Sequence, residues 1–306
     1  MKTRKNLFKL LALAVMLTVM IGALAVLGIS AGAEDVPAAE NIKVTNGDVE
    51  VLFSSWYGMI EYVNQNDGCT VTLLGDVVVD NETWIKNNLT VDLAGYKLSN
   101  FSAKSSGEIQ VRFLDSSEGK TGEILRTEGV YSFTAYDNST MVIDGIKTDG
   151  SFCANWGGSI IINSLVTTSS FTNFSIGEGS LEINGGEYGK FYMSIASDYN
   201  EESSISVKNI TCTEYEIWDS FGFGITIADT LADGYALVDP EGNFFDANQT
   251  YIRGEMGSVV HTHEYTHMFS NETEHWIACA CGETNAETVA EVHTGGEATC
   301  TSPAIC

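Results

Sequence analysis

The stretches Leu89-Thr-Val-Asp-Leu-Ala-Gly95, Ile109-Gln-Val-Arg-Phe-Leu-Asp115, Met141-Val-Ile-Asp-Gly145, Ser159-Ile-Ile-Ile-Asn163, Leu181-Glu-Ile-Asn-Gly-Gly186 and Ile205-Ser-Val-Lys-Asn209 repeat one theme. An alternating, β-branched run is followed by Asp or Asn and a polar turn. A period of two marks a strand with one buried face. One inward residue per copy gives Val91, Val111, Ile143, Ile162, Ile183 and Val207, at intervals of 20, 32, 19, 21 and 24. A recurring interval near 20 in β-type segments predicts a solenoid, in which each turn stacks on the last. No single copy can bury its own apolar face, so stacking supplies the core. The Asn/Asp-Gly steps supply corners where a positive φ is needed. The interval of 32 predicts an inserted loop at Ser116–Gly122. The competing all-β reading is a sandwich, with antiparallel hairpins and two-residue turns. The gaps here are longer and carry a second weak strand, such as Gly122-Glu-Ile-Leu-Arg126.

Upstream, Leu52, Trp56, Met59, Ile60 and Val63 fall on one helical stripe within Val51 to Asn64. A helix there would cap the open N-terminal end of the stack; a pair of edge strands is the rival reading. Further upstream, Lys2, Arg4, Lys5 and Lys9 precede an apolar run from Leu10 to about Leu27 and then Ala31-Gly32-Ala33. That order predicts a signal peptide over residues 1–33, cleaved after Ala33, hence an exported protein with no membrane insertion once the leader is removed. The apolar run is also long enough to serve as an uncleaved anchor. The expected organisation is a leader at 1–33, a cap region at 34–70, a β-helix at 71–250 and a tail module at 251–306.

The formal charge is −26, and removal of a leader with four basic and no acidic residues takes it to −30. Such a charge disfavours nucleic acid and anionic membrane as partners. It argues only weakly against an acidic polysaccharide, which a local basic patch or Ca²⁺ would accommodate. Cys69, Cys153 and Cys212 are scattered through the body. They read as small buried residues, with a Cys153–Cys212 disulfide as the alternative.

The segments Val71-Thr-Leu-Leu-Gly-Asp76, Asn88-Leu-Thr-Val-Asp-Leu-Ala-Gly-Tyr-Lys-Leu-Ser99 and Phe113-Leu-Asp-Ser-Ser-Glu-Gly-Lys-Thr-Gly-Glu-Ile124 resemble the secreted right-handed parallel β-helix (pectin-lyase-like) proteins of Gram-positive gut bacteria. The resemblance covers about residues 50–245 and implies an all-β, right-handed parallel β-helix. It does not imply an activity, because that scaffold serves lyases, hydrolases, adhesins and non-catalytic proteins. The body holds no histidine, so the His of the family's galacturonan hydrolases has no counterpart. Asp137, Asp144 and Asp149 have only Arg126 and Lys147 as nearby bases and read as turn-forming acids. Tyr131, Tyr136 and Trp156 are candidates for stacking on sugar rings. The expectation is a non-catalytic, exported or surface β-helix that binds extracellular polysaccharide or matrix, or acts as a spacer. A polysaccharide lyase or glycoside hydrolase on the same scaffold is the alternative.

The tail differs in chemistry. All five histidines and four of the seven cysteines lie between His261 and Cys306. Thiolate and imidazole donors together suit tetrahedral Zn²⁺. The expected ligands are His263, His275, Cys279 and Cys281, with His293, Cys300 and Cys306 as a second set. Disulfides among the four cysteines are the alternative. His263-Glu-Tyr-Thr-His267 formally matches H-E-x-x-H, but its flanks lack the helical stripe a metalloprotease needs. The segment also resembles a short Cys/His repeat at the C-termini of exported proteins from the same bacterial group. That pattern opens a further Cys-x-x-Cys-Gly at the position of Cys306, so here it is either incomplete or cut short.

Overall fold

A computed structural model of the chain describes residues 39–79, 82–271, 273–279, 282–285, 288 and 290–292. The expected leader lies outside these residues, as do Cys281, His293, Cys300 and Cys306. Glu40–Cys306 forms one compact unit, described below.

That unit is a parallel β-solenoid of about seven turns. On its first face, Cys69–Leu73, Leu89–Asp92 and Gln110–Leu114 pair in parallel, followed by the first halves of Thr140–Thr148 and Gly158–Thr167, then Gly179–Ile183 and Ser204–Val207. The second face starts with Val77–Val78, Lys97–Phe101 and Glu123–Arg126. It continues through the later halves of Thr140–Thr148 and Gly158–Thr167. The third face stacks Thr83–Ile85, Ala103–Ser105, Phe133–Ala135, Phe152–Ala154 and Phe171–Ile176, then the later halves of Gly186–Ile195 and Ile210–Trp218. Successive turns pair in parallel, not as hairpins, which excludes the sandwich. Thr140–Thr148 spans two faces because its register breaks at Asp144, where Gly145 has φ +68; that corner needs the freedom of glycine.

The six residues read as inward are all fully buried. One of them belongs to a different row. Val91 pairs with Phe113, which pairs with Ile143, whereas Val111 lies between Leu89 and Met141. Both rows face inward, so alternation alone does not distinguish them. With Phe113 on the row, the intervals on its two sides are 22 and 30. The extra length of the longer turn is shared between the loop 115–122 and a second loop, 127–132, instead of residing only at Ser116–Gly122.

Inside, aromatic rings follow the stack. Phe133, Phe152 and Phe174 lie 4.9 and 5.1 Å apart with interplanar angles of 8° and 11°. Phe191 and Tyr215 continue the column at 4.7 and 4.6 Å. These distances match the spacing of hydrogen-bonded strands, so one ring per turn fills the interior in offset contact.

Both ends are covered. At the start, Ile42–Asn46 pairs antiparallel with Val49–Phe53 on one side and with the first rung, Cys69–Leu73, on the other. The helix is shorter than its stripe predicts. It runs Trp56–Val63 and buries Trp56, Met59, Ile60 and Val63, with the Ser55 side chain as N-cap acceptor for Gly58 N–H. Leu52 belongs to the preceding strand and is exposed. Trp56 Nε1 donates to Thr83 Oγ1 at 2.8 Å, and its ring meets Phe101 edge-on. The cap therefore combines the helix with the edge-strand pair. At the other end, Tyr251–His261 pairs antiparallel with Ile210–Trp218 and with Tyr235–Val238. A separate three-stranded antiparallel sheet follows: Tyr265–Ser270, Glu274–Cys279 and Glu291–Val292.

Candidate functional site

Four acids of the body, Asp76, Asp92, Asp115 and Asp149, accept hydrogen bonds from backbone N–H groups at turns. Asp92 accepts from Ala94 and Ser116 N–H, Asp149 from Arg126 N–H, and Asp76 from Lys97 N–H. Asp144 is paired with Arg112 at 2.5 Å. Asp115 is fully buried and accepts from Gly95, Ser117 and Gly122 N–H and from the Ser117 hydroxyl. Burial alone would raise its pKa; these hydrogen bonds outweigh it and hold the carboxyl below the ordinary aspartate value. A Cβ at Gly122 would sit 2.8 Å from the Asp115 carboxyl carbon and 2.7 Å from Leu93 Cβ, so glycine is required there. The conspicuous Asp-Leu-Ala-Gly and Leu-Asp-Ser-Ser-Glu-Gly-Lys-Thr-Gly segments thus lock two adjacent turns to each other.

The three body cysteines are buried free thiols; Cys69 and Cys212 lie in the core, whereas Cys153 lies between Thr134 and Ser175 on the outward row of the third face. Burial pushes Cys153 up to about 11 and Cys212 up to about 12. No Cys153–Cys212 bridge forms, and neither thiol is tuned as a nucleophile.

The outward side of the third face is different. Trp84, at the middle of Thr83–Ile85, stacks toward Tyr136 with centroids 6.5 Å apart, and Tyr136 meets Trp156 at 5.1 Å. Lys104 sits over the Trp84 ring at 5.3 Å and is held by Glu82 at 2.9 Å. Farther along the same face, Phe171 meets Tyr192 at 5.1 Å and Tyr192 meets Trp218 at 6.4 Å. Lys190 lies over the Tyr192 and Tyr251 rings and pairs with Glu216 and Glu214. Burial, chiefly, raises the Tyr136 and Tyr192 phenols, and the nearby Tyr131 adds to both shifts. Trp156 and Trp218 remain 58% and 56% exposed. Trp84 also walls a concavity of about 320 Å³ with Trp56, Tyr57, Glu61 and Lys86.

Of the aromatic residues singled out in the sequence, Tyr136 and Trp156 are in contact and Tyr131 is close by. Trp84, Phe171, Tyr192 and Trp218 were missed. Their signal was phase. In Phe171-Thr-Asn-Phe-Ser-Ile176, Thr172, Phe174 and Ile176 face inward, which leaves Phe171 as a large apolar residue on the outward phase.

In the tail, the structure brings His263 and Cys279 together and adds His261. The ligand atoms of these three lie within 4.8 Å of one another. His275 is elsewhere, with Nε2 3.4 Å from Glu291. The reason is backbone geometry. Glu274–Cys279 is a strand, and four residues of strand span about 13 Å, so His275 and Cys279 cannot share an ion. His263-Glu-Tyr-Thr-His267 runs from an irregular segment into the strand Tyr265–Ser270, so its histidines do not share a helix face. Cys281, His293, Cys300 and Cys306 lie outside the described residues.

No protein family, no curated protein and no solved structure matches the chain. No helix among the described residues is long and apolar enough to cross a membrane.

Proposed function

We propose that the chain is an exported, non-catalytic β-helix that binds extracellular glycan or matrix through the outward aromatic strip of its third face. The observation that carries this reading is the exposure of Trp84, Trp156, Phe171 and Trp218 on one side of a rigid stack. Aromatic faces stack on the apolar faces of sugar rings; Trp84, Phe171 and Trp218 are held on strands and lose little entropy on binding, while Trp156 sits in the turn after Phe152–Ala154. The parallel solenoid supports the resemblance to secreted pectin-lyase-like proteins, and the basic-apolar-small order of the first 33 residues supports export. Lys104 and Lys190 are the cations within the strip, each already paired with carboxylates. A neutral or weakly charged polysaccharide therefore fits better than a highly charged one.

The test is affinity electrophoresis or calorimetry against neutral plant and bacterial polysaccharides, pectins, alginate and glycosaminoglycans, with and without Ca²⁺. Binding to at least one is expected, with Trp156→Ala and Trp218→Ala each weakening it about tenfold, equivalent to ~1.4 kcal/mol. Reproducible product release would replace the binding reading with the lyase or hydrolase alternative. Binding that both variants leave unchanged would move the site away from this strip.

A further inference from the structure

We propose that His261 Nδ1, His263 Nδ1 and Cys279 Sγ form a tetrahedral Zn²⁺ site that ties the strand closing the solenoid to the small C-terminal sheet. The argument begins with spacing. His261 ends the strand Tyr251–His261 and His263 follows two residues later; their rings lie side by side, with centroids 4.7 Å apart. Their Nδ1 atoms are 3.3 Å apart. Two imidazole nitrogens at that distance need a proton or a cation between them. Zn–N bonds of about 2.0–2.1 Å in a tetrahedron place neighbouring nitrogens about 3.3–3.4 Å apart, the separation seen here. Cys279 ends the strand Glu274–Cys279 and is buried at 3% exposure. Its backbone is held by two hydrogen bonds, Gly282 N–H to the Cys279 carbonyl and Cys279 N–H to the Glu283 carbonyl.

The outer partner is in place as well. Glu283 Oε2 lies 3.2 Å from His263 Nε2. A carboxylate at Nε2 favours the tautomer protonated there, in which Nδ1 carries the lone pair a metal ion takes, the arrangement that orients histidine ligands in zinc proteins. His261 is steadied by the edge of Tyr235, with centroids 5.1 Å apart. Two imidazoles and a thiolate suit Zn²⁺ better than the all-oxygen shells of Ca²⁺ or Mg²⁺. Because His261 belongs to the strand paired with Ile210–Trp218 and Cys279 to the separate sheet, one ion cross-links two sheets that share no strand. This inference is independent of glycan binding.

The experiment uses the whole protein, reduced, stripped with a chelator and titrated with Zn²⁺ alone against a chromophoric competitor. Elemental analysis and Co²⁺ substitution run in parallel. One tight equivalent of zinc is expected, and Co²⁺ should show a thiolate-to-metal charge-transfer band. His261→Ala and Cys279→Ser should each weaken zinc more than 100-fold, and Glu283→Gln about 10–100-fold. His267→Ala should leave affinity unchanged. His261→Cys, which keeps a donor at that position, should retain zinc and shift the Co²⁺ spectrum; this guards against misfolding of the alanine variant. The proposal fails if reduced protein takes up no zinc, if His261→Ala binds it as tightly as the parent, or if the Co²⁺ form lacks the thiolate band. A disulfide at Cys279 that forms in preference to the metal site would also overturn it.

Discussion

Within Phe113-Leu-Asp-Ser-Ser-Glu-Gly-Lys-Thr-Gly122, one buried carboxylate satisfies three backbone N–H groups from two neighbouring turns and a hydroxyl. Removing it strands those donors away from water. Asp115→Asn presents an amide N–H to groups that need an acceptor, and should cost on the order of 2–3 kcal/mol in denaturant unfolding at neutral pH. The pH dependence follows from the lowered pKa. The ionised Asp115 contributes stability that is fully present above the unfolded value of about 3.9 and is lost as pH falls through the lower folded value. Unfolding measured from pH 6 down to pH 2 should therefore show the parent converging on Asp115→Asn in acid. Parallel curves over that range would show that the carboxylate does not titrate as argued. At this scale the sequence was legible in part. Asp and Gly at corners were readable as turn chemistry, but no local pattern tells that Asp115 reaches Gly95 across a turn. His261 was a similar case. The expected ligand set took His263 from the clustering of His and Cys in the tail and left out His261, although the His-x-His spacing places the two rings side by side.

Elements here derive their stability from the turn above and the turn below. The column Phe133, Phe152, Phe174 lies parallel and fully buried, and Phe152 touches a ring on each side. Phe152→Ala should destabilise the solenoid by about 3–5 kcal/mol, whereas Phe171→Ala, on the outward phase, should cost well under that while weakening any glycan binding. Equal losses from the two would mean that the phase assignment of the third face is wrong. The strands themselves were readable because alternation and β-branching persist through every copy. The register between copies was not. Val111 and Phe113 both face inward in one strand, and only pairing with the neighbouring turns decides which continues the row of Val91. The cap was half readable for a related reason. The stripe from Trp56 to Val63 marks a helix, yet Leu52 fits its period while sitting on a strand paired with Ile42–Asn46.

For the molecule as a whole, the arrangement of faces follows from the repeat, and the aromatic strip follows from the arrangement of faces. That dependence explains why the strip was only partly visible in the sequence: Trp84 and Trp156 are 72 residues apart and become neighbours of Tyr136 only once the turns are superposed. The antiparallel strands and helix at the two ends have a further consequence. They separate the identity of the terminal rungs from the number of rungs between them, so length is a free variable of this architecture. Ser159 and Ser180 occupy equivalent places in consecutive turns. Excising residues 159–179 removes one complete circuit and lets Ser180 to Ile183 dock on Thr140 to Ile143 as Ser159 to Ile162 did. The shortened chain should still fold, with a far-UV spectrum of the same shape and a smaller denaturant m-value, because less surface is exposed on unfolding. Removing only about half a circuit, residues 159–169, joins the first face to the start of the third, a non-equivalent point of the turn, and should give no folded protein. If both deletions behave alike, the turns are not interchangeable modules. If only the in-phase cut survives, duplication or loss of whole circuits is a route by which such a chain can change its reach while both ends stay sealed.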